Sequence, residues 1–119
     1  MFTVSKNLAG IEPLSGSNYG SWKMNLDIML GCMDYDFVLT EPKPPTPTDE
    51  SSATEKAHHV RWEKVNRLAM MIIRASIRES LRGGIATTKT SSELMSLIKN
   101  QFVGNKKSLL LAPNNEQKV

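Results

Sequence analysis

The chain has 119 residues and a mass of 13.3 kDa, enough for one domain, and its 39% apolar content excludes wholesale disorder. The single cysteine, Cys32, excludes an intramolecular disulfide and a four-cysteine zinc site, and no apolar run approaches the ~18 residues of a membrane-spanning helix. The net charge of +3 hides an asymmetry: residues 1–55 hold three lysines against eight acids, a balance of −5, and residues 56–119 hold twelve lysines and arginines against four glutamates, a balance of +8.

Residues 1–17, with Gly10, Pro13 and Gly16, predict an irregular arm without the apolar core of a secretory leader, so a soluble cytoplasmic protein is expected. Asn18 is the predicted N-cap of a helix over Tyr19–Met33. Trp22, Leu26, Met29, Leu30 and Met33 share one face of it, and Cys32 reads as an inert core residue. Asp34–Leu39 predicts a short helical turn burying Tyr35, Phe37, Val38 and Leu39. The segment 41–52 has four prolines within six positions, which neither a helix nor a central strand tolerates, so it reads as an extended linker.

Ala53–Arg82 is free of proline and glycine and carries a helical stripe through Val65, Leu68, Ala69, Ile72, Ile73, Ser76, Ile77 and Leu81. Ser52 or Thr54 caps it, with Glu55 in the first turn. At 1.5 Å per residue such a helix spans about 45 Å, too long for a small domain, so a bend or two helices meeting near Asn66 is expected. Arg61, Lys64, Arg67, Arg74, Arg78 and Arg82 mark its polar side, and Gly83-Gly84 ends it. Met70-Met71-Ile72-Ile73 covers more of the circumference than one buried face requires, which implies burial all round or a partner chain. Thr90 and Glu93 fit a capping box for an amphipathic helix through Leu94, Leu97, Ile98 and Phe102 to Gly104. Another helix begins over Asn105–Leu111, Pro113 stops it, and residues 113–119 form a frayed polar tail. The expected fold is all-α: a small bundle of four to five helices over residues 18–112, with the Pro-rich loop between the first and second main helices.

Chemistry-bearing motifs are missing. His58 and His59 point about 100° apart on a helix and have no metal-spaced carboxylates beside them. There is no GxxxxGK[ST] loop, no GxSxG elbow and no aspartic-protease Asp-Ser/Thr-Gly. No enzyme activity, metal, cofactor or small-molecule substrate is therefore expected.

Three fragments in order carry a likeness. The first is Leu14-x-Gly16-x-Asn18-Tyr19-x-x-Trp22-x-x-x-Leu26, followed by Met29-Leu30 and the acidic-aromatic step Asp34–Leu39. Trp62-x-x-x-Asn66-x-x-Ala69-x-x-x-Ile73-x-x-x-Ile77-x-x-x-Leu81 is the second. The third is Glu93–Phe102, with Leu94 and Ile98 on its apolar side. Across roughly residues 8–107 the chain resembles the N-terminal, capsid-like region of copia-type retrotransposon Gag proteins. Met95 departs from the tryptophan common at its position. After Lys107 the likeness ends, and no zinc knuckle of the type Cys-x₂-Cys-x₄-His-x₄-Cys follows, so a truncated or stand-alone Gag segment is implied.

The resemblance implies a structural module that associates with itself, or with intact Gag chains, guided by the opposed charges of the two halves and the Met70–Ile73 segment. A different reading is non-specific, salt-dependent RNA binding through Arg61, Lys64, Arg67, Arg74, Arg78, Arg82, Lys106 and Lys107. A third is a relic of an element without a selected role.

Overall fold

The computed structural model describes residues 11–104, which form five α-helices and a closing π-helical turn. Among these residues there is no strand, only one isolated parallel bridge between Leu14 and Ile77. The predicted all-α fold is therefore present. The expected helix over 105–111, the tail 113–119, Lys106, Lys107 and most of the N-terminal arm lie outside the described residues.

Helix α1, Tyr19–Cys32, buries Trp22, Leu26, Met29 and Leu30. Asn18 stands at its N-cap, but the side chain does not cap. Its Oδ1 accepts from the Ser15 backbone N–H (2.9 Å), and its Nδ2 donates to the Pro13 carbonyl (3.1 Å), so it ties the preceding turn together. The helix stops through backbone geometry. Asp34 takes a left-handed φ of 60°, its N–H bonds to the Gly31 carbonyl, and the Tyr35 N–H reaches back to Leu30. This double closure is usually built on glycine; aspartate tolerates the same conformation better than most residues. Two expectations fail here. Met33 is 39% exposed instead of sharing the buried face, because the helix ends at Cys32, and Cys32 is exposed instead of lying in the core, because its place on the helix follows the exposed Ile28 one turn on.

Helix α2, Phe37–Thr40, buries Val38 fully, whereas Tyr35, Phe37 and Leu39 are only partly covered. Residues 42–48 carry no helix or strand, as the prolines require, a turn at Asp49-Glu50 closes through the Ser51 N–H to the Thr48 carbonyl (3.0 Å), and the segment lies between the two main helices, α1 and α3. Helix α3, Ala53–Ala75, starts at a complete capping box: Ser52 Oγ accepts from the Glu55 N–H at 3.0 Å, and Glu55 Oε1 accepts from the Ser52 N–H at 2.7 Å.

The alternative of two helices meeting near Asn66 does not occur; α3 runs uninterrupted through it and ends ten residues later, at Ser76. Ser76 Oγ donates to the Ile73 carbonyl (2.6 Å) and thereby ends the ladder locally. Ile77 leaves the helix to pair with Leu14, through Leu14 N–H to Ser76 O (2.9 Å) and Arg78 N–H to Leu14 O (3.0 Å). Helix α4, Glu79–Arg82, follows and gives way at Gly83.

Asn66 has a different task. Its Nδ2 donates to the Lys89 carbonyl (3.0 Å), and its Oδ1 accepts from the backbone N–H and hydroxyl of Ser91 (2.8 and 3.0 Å). This amide satisfies a first-turn N–H of helix α5, Ser91–Lys99, and docks that helix on α3. The predicted capping box of Thr90 and Glu93 is present at the same end. The π-helical turn Asn100–Gly104 brings the Phe102 ring against Gly16. An added Cβ at Gly16 would meet that ring only at ordinary contact distance (3.8 Å); its φ of +98° is what selects glycine.

The core draws on the arm, α1, α2, α3, Ile77 and α5: Leu14, Trp22, Leu26, Val38, Trp62, Ile73, Ile77, Leu94 and Ile98 are all fully buried, and Leu81 of α4 and Phe102 of the closing turn pack partly buried against them. The arm is thus irregular but integral, since Ile11 and Leu14 belong to the core. The two tryptophans differ. The Trp22 indole N–H donates to the Ser76 carbonyl and hydroxyl (3.0 and 3.1 Å), whereas that of Trp62 is buried without a partner. Trp22→Phe is expected to cost about 1–3 kcal/mol more than Trp62→Phe in urea unfolding, because only the first loses buried hydrogen bonds, whereas the second removes a donor that has no partner. Asn66→Ala should cost on the order of 2–4 kcal/mol in the same assay, since it strands three groups at the start of α5.

Candidate functional site

The family-signature residues gather at and around the core. Leu14, Trp22, Leu26, Trp62, Asn66, Ala69, Ile73, Ile77, Leu94 and Ile98 are buried, while Tyr19, Leu81 and Phe102 pack partly buried against them. Gly16 and Asn18 shape the turn that leads into α1. These positions set the fold, and Tyr19 also lines the cleft described below.

The six basic residues assigned to one polar side split into two groups. Arg74 donates to the Ala86 carbonyl (2.8 Å) and reaches that of Ile85 (3.5 Å), pinning the segment after α4 onto α3. Arg82 folds back to the carbonyls of Ile77 (2.9 Å) and Ala75 (3.3 Å), groups left unpaired where α3 ends. The Arg61 guanidinium lies 5.2 Å from the centroid of the Phe37 ring. Lys64, Arg67 and Arg78 are exposed and carry no such contact among the described residues.

Among the described residues, the carboxylates of the first half do not pair with the cations of the second. Among the described residues the ion pairs are Lys23–Asp27 (2.6 Å), Lys43–Glu63 (3.5 Å) and, when the histidine is protonated, His59–Glu63 (3.9 Å). None joins a carboxylate of residues 11–55 to a lysine or arginine of residues 56–104. The single bridge between the halves runs the other way, with the cation from the acidic half.

An open cleft of about 420 Å³ lies between α1, α2 and α5, lined in part by Tyr19, Lys23, Asp27, Asp36, Ser96 and Lys99. Burial pushes the Tyr19 phenol above its ordinary value, with Lys23 opposing the shift and Asp27 adding to it. The cleft holds carboxylates, ammonium groups and hydroxyls, but among the described residues neither histidine nor cysteine to activate a nucleophile. No group of three or more His, Cys, Asp or Glu among the described residues could hold a metal ion, and no described helix is long and apolar enough to cross a membrane.

Sequence reasoning missed the outward face of α1. Met24 and Ile28 are 58% and 57% exposed, on the side opposite Trp22 and Leu26. The signal was available, because Tyr19–Cys32 contains one lysine and one aspartate among its fourteen residues. The Met70–Ile73 run divides: Ile73 is fully buried, Met70 and Ile72 partly, and Met71 is 66% exposed. It is therefore not buried all round.

Set against protein-family models, curated proteins and solved structures, the chain matches none of them. The class defined by the fold is a small all-α domain.

Arg74→Ala and Arg82→Ala are expected to lower stability by about 1–2 kcal/mol each through lost charge-assisted hydrogen bonds. Lys64→Ala and Arg67→Ala should stay within about 0.5 kcal/mol. Chemical denaturation of the four variants checks the division.

Proposed function

We propose that this domain is a non-enzymatic structural module of the retrotransposon Gag type, which associates with copies of itself or with longer Gag chains. The observation that carries the reading is the unmatched charge. Among the described residues, no carboxylate of the acidic first half lies within ion-pair distance of a lysine or arginine of the basic second half. Charges of opposite sign on separate parts of one surface favour head-to-tail contact between molecules, guiding encounter and register more than raw affinity. The resemblance in the three ordered fragments adds to this, as do the exposed apolar side chains on α1 and α3.

RNA binding is the less favoured reading. Arg61, Arg74 and Arg82 already serve intramolecular contacts, which removes half of the described cations counted toward an RNA surface. The aromatic residues of that half, Trp62 and Phe102, lie in or against the core, so base stacking has little to use.

Light scattering on nuclease-treated protein tests the proposal across a concentration series at low and high salt. Mass should climb above 13.3 kDa with concentration at low salt, and the part guided by charge should fall as the Debye length shortens toward ~3 Å at 1 M. A monomer under every condition would overturn self-association. Binding of a generic RNA, lost steeply with salt, would favour the other reading instead.

A further inference from the structure

Residues 40–54 carry six hydroxyl side chains, and local hydrogen bonds occupy four of them. Thr40 Oγ1 donates to the Phe37 carbonyl (3.4 Å), and Thr48 Oγ1 accepts from the Glu50 N–H (3.2 Å). Ser51 Oγ accepts from the Thr48 N–H (2.9 Å), and Ser52 Oγ caps α3 through the Glu55 N–H (3.0 Å). A fifth, Thr54, belongs to the first turn of α3. Each of these five is committed to a turn or a helix end.

Thr46 is different. Its side chain is exposed, it stands in the stretch 42–48 without helix or strand, and its hydroxyl makes no hydrogen bond among the described residues. In the whole sequence it is the only serine or threonine that precedes a proline. A residue before proline is held away from the helical region, so Pro47 keeps the Thr46 backbone extended. Pro45 and Pro47 on either side also present no N–H, so a cleft that closes over them leaves no donor unsatisfied. Pro44 and Pro47 lie partly covered, while Pro42 and Pro45 are exposed with Thr46. No backbone hydrogen bond holds residues 42–47 among the described residues, so the stretch lifts into a partner's cleft at small cost.

We infer that Thr46 is a phosphorylation site, the acceptor for a proline-directed protein kinase. Thr46 Oγ1 forms the new bond to the γ-phosphorus of a nucleoside triphosphate, and the bond from that phosphorus to the β,γ-bridging oxygen breaks. The hydroxyl proton passes to the kinase's catalytic carboxylate, and the nucleoside diphosphate leaves. The phosphate adds a charge of about −1.5 to −2 to a half of the chain whose balance is already −5. Lys43 is the only lysine or arginine of residues 41–52, and Glu63 holds it at 3.5 Å. The modification therefore changes what the surface attracts and leaves the core untouched. It stands apart from the self-association reading, and its test does not depend on that reading.

The full chain is incubated with an activated kinase of the mitogen-activated class, ATP and Mg²⁺, and the product is mapped by tandem mass spectrometry. Thr46→Ala and Pro47→Ala variants run beside it, with circular dichroism to confirm that both fold. A single phosphate is expected on Thr46, absent from Thr46→Ala, with an initial rate at least ~10-fold lower in Pro47→Ala, which keeps the hydroxyl but restores an N–H beside it. No incorporation would overturn the inference. So would phosphate on Thr48, Ser51 or Ser52 in place of Thr46, or a rate that Pro47→Ala leaves unchanged. A melting midpoint that moves by more than about 5 °C on phosphorylation would overturn the separation of the site from the fold.

Discussion

Ser76 receives what the N-terminal part of the chain brings to the rest. Its carbonyl accepts the Leu14 backbone and the Trp22 indole, and its hydroxyl accepts the same indole while closing on Ile73. An acceptor set this buried is costly to leave unmade, so the break in α3, the seating of α1 and the path of residues 11–17 are mutually dependent. Arg82 belongs to the same junction, because the carbonyls it covers are those exposed when the helix stops there. A second junction, at Asn66, does for α5 what Ser76 does for α1. The domain is a long helix with two polar sockets, each receiving one neighbouring element.

How much of this is legible in the sequence depends on how local the cause is. The Thr90–Glu93 capping box was readable, and the cap of the long helix was narrowed to Ser52 or Thr54, since such contacts act within one turn. The Pro-rich extended segment was readable for the same reason. The stop at Ser76 was not, because no glycine or proline marks it; its partners lie 54 and more residues away in the chain. Asn66 showed as an interruption of an apolar stripe, and a polar residue there fits a bend and a buried link equally well until the second element is placed. Asp34 in the left-handed region and the exposure of Met33 share one cause, a helix end set by backbone hydrogen bonds to Leu30 and Gly31.

The surface was harder to read than the core. Periodicity in α1 marked the buried stripe but gave little reason to see Met24 and Ile28 as a second one, because the eye follows the strongest period. The basic residues of α3 looked alike as letters; only the position of nearby carbonyls and of the Phe37 ring separates Arg61, Arg74 and Arg82 from Lys64, Arg67 and Arg78.

Residues 41–52 separate two pieces of the chain that meet through the core, with Lys43–Glu63 as an outer tie. The covalent link there acts mainly by keeping the pieces close. Chain-closure entropy changes slowly with length, so lengthening this segment from twelve residues to twenty-four adds only about 0.6 kcal/mol. Cleavage within it would have a different consequence. The pieces before and after the cut would still share Trp22, Leu14, Ser76 and Ile77, and the domain would become a non-covalent heterodimer whose folding depends on the concentration of its own fragments.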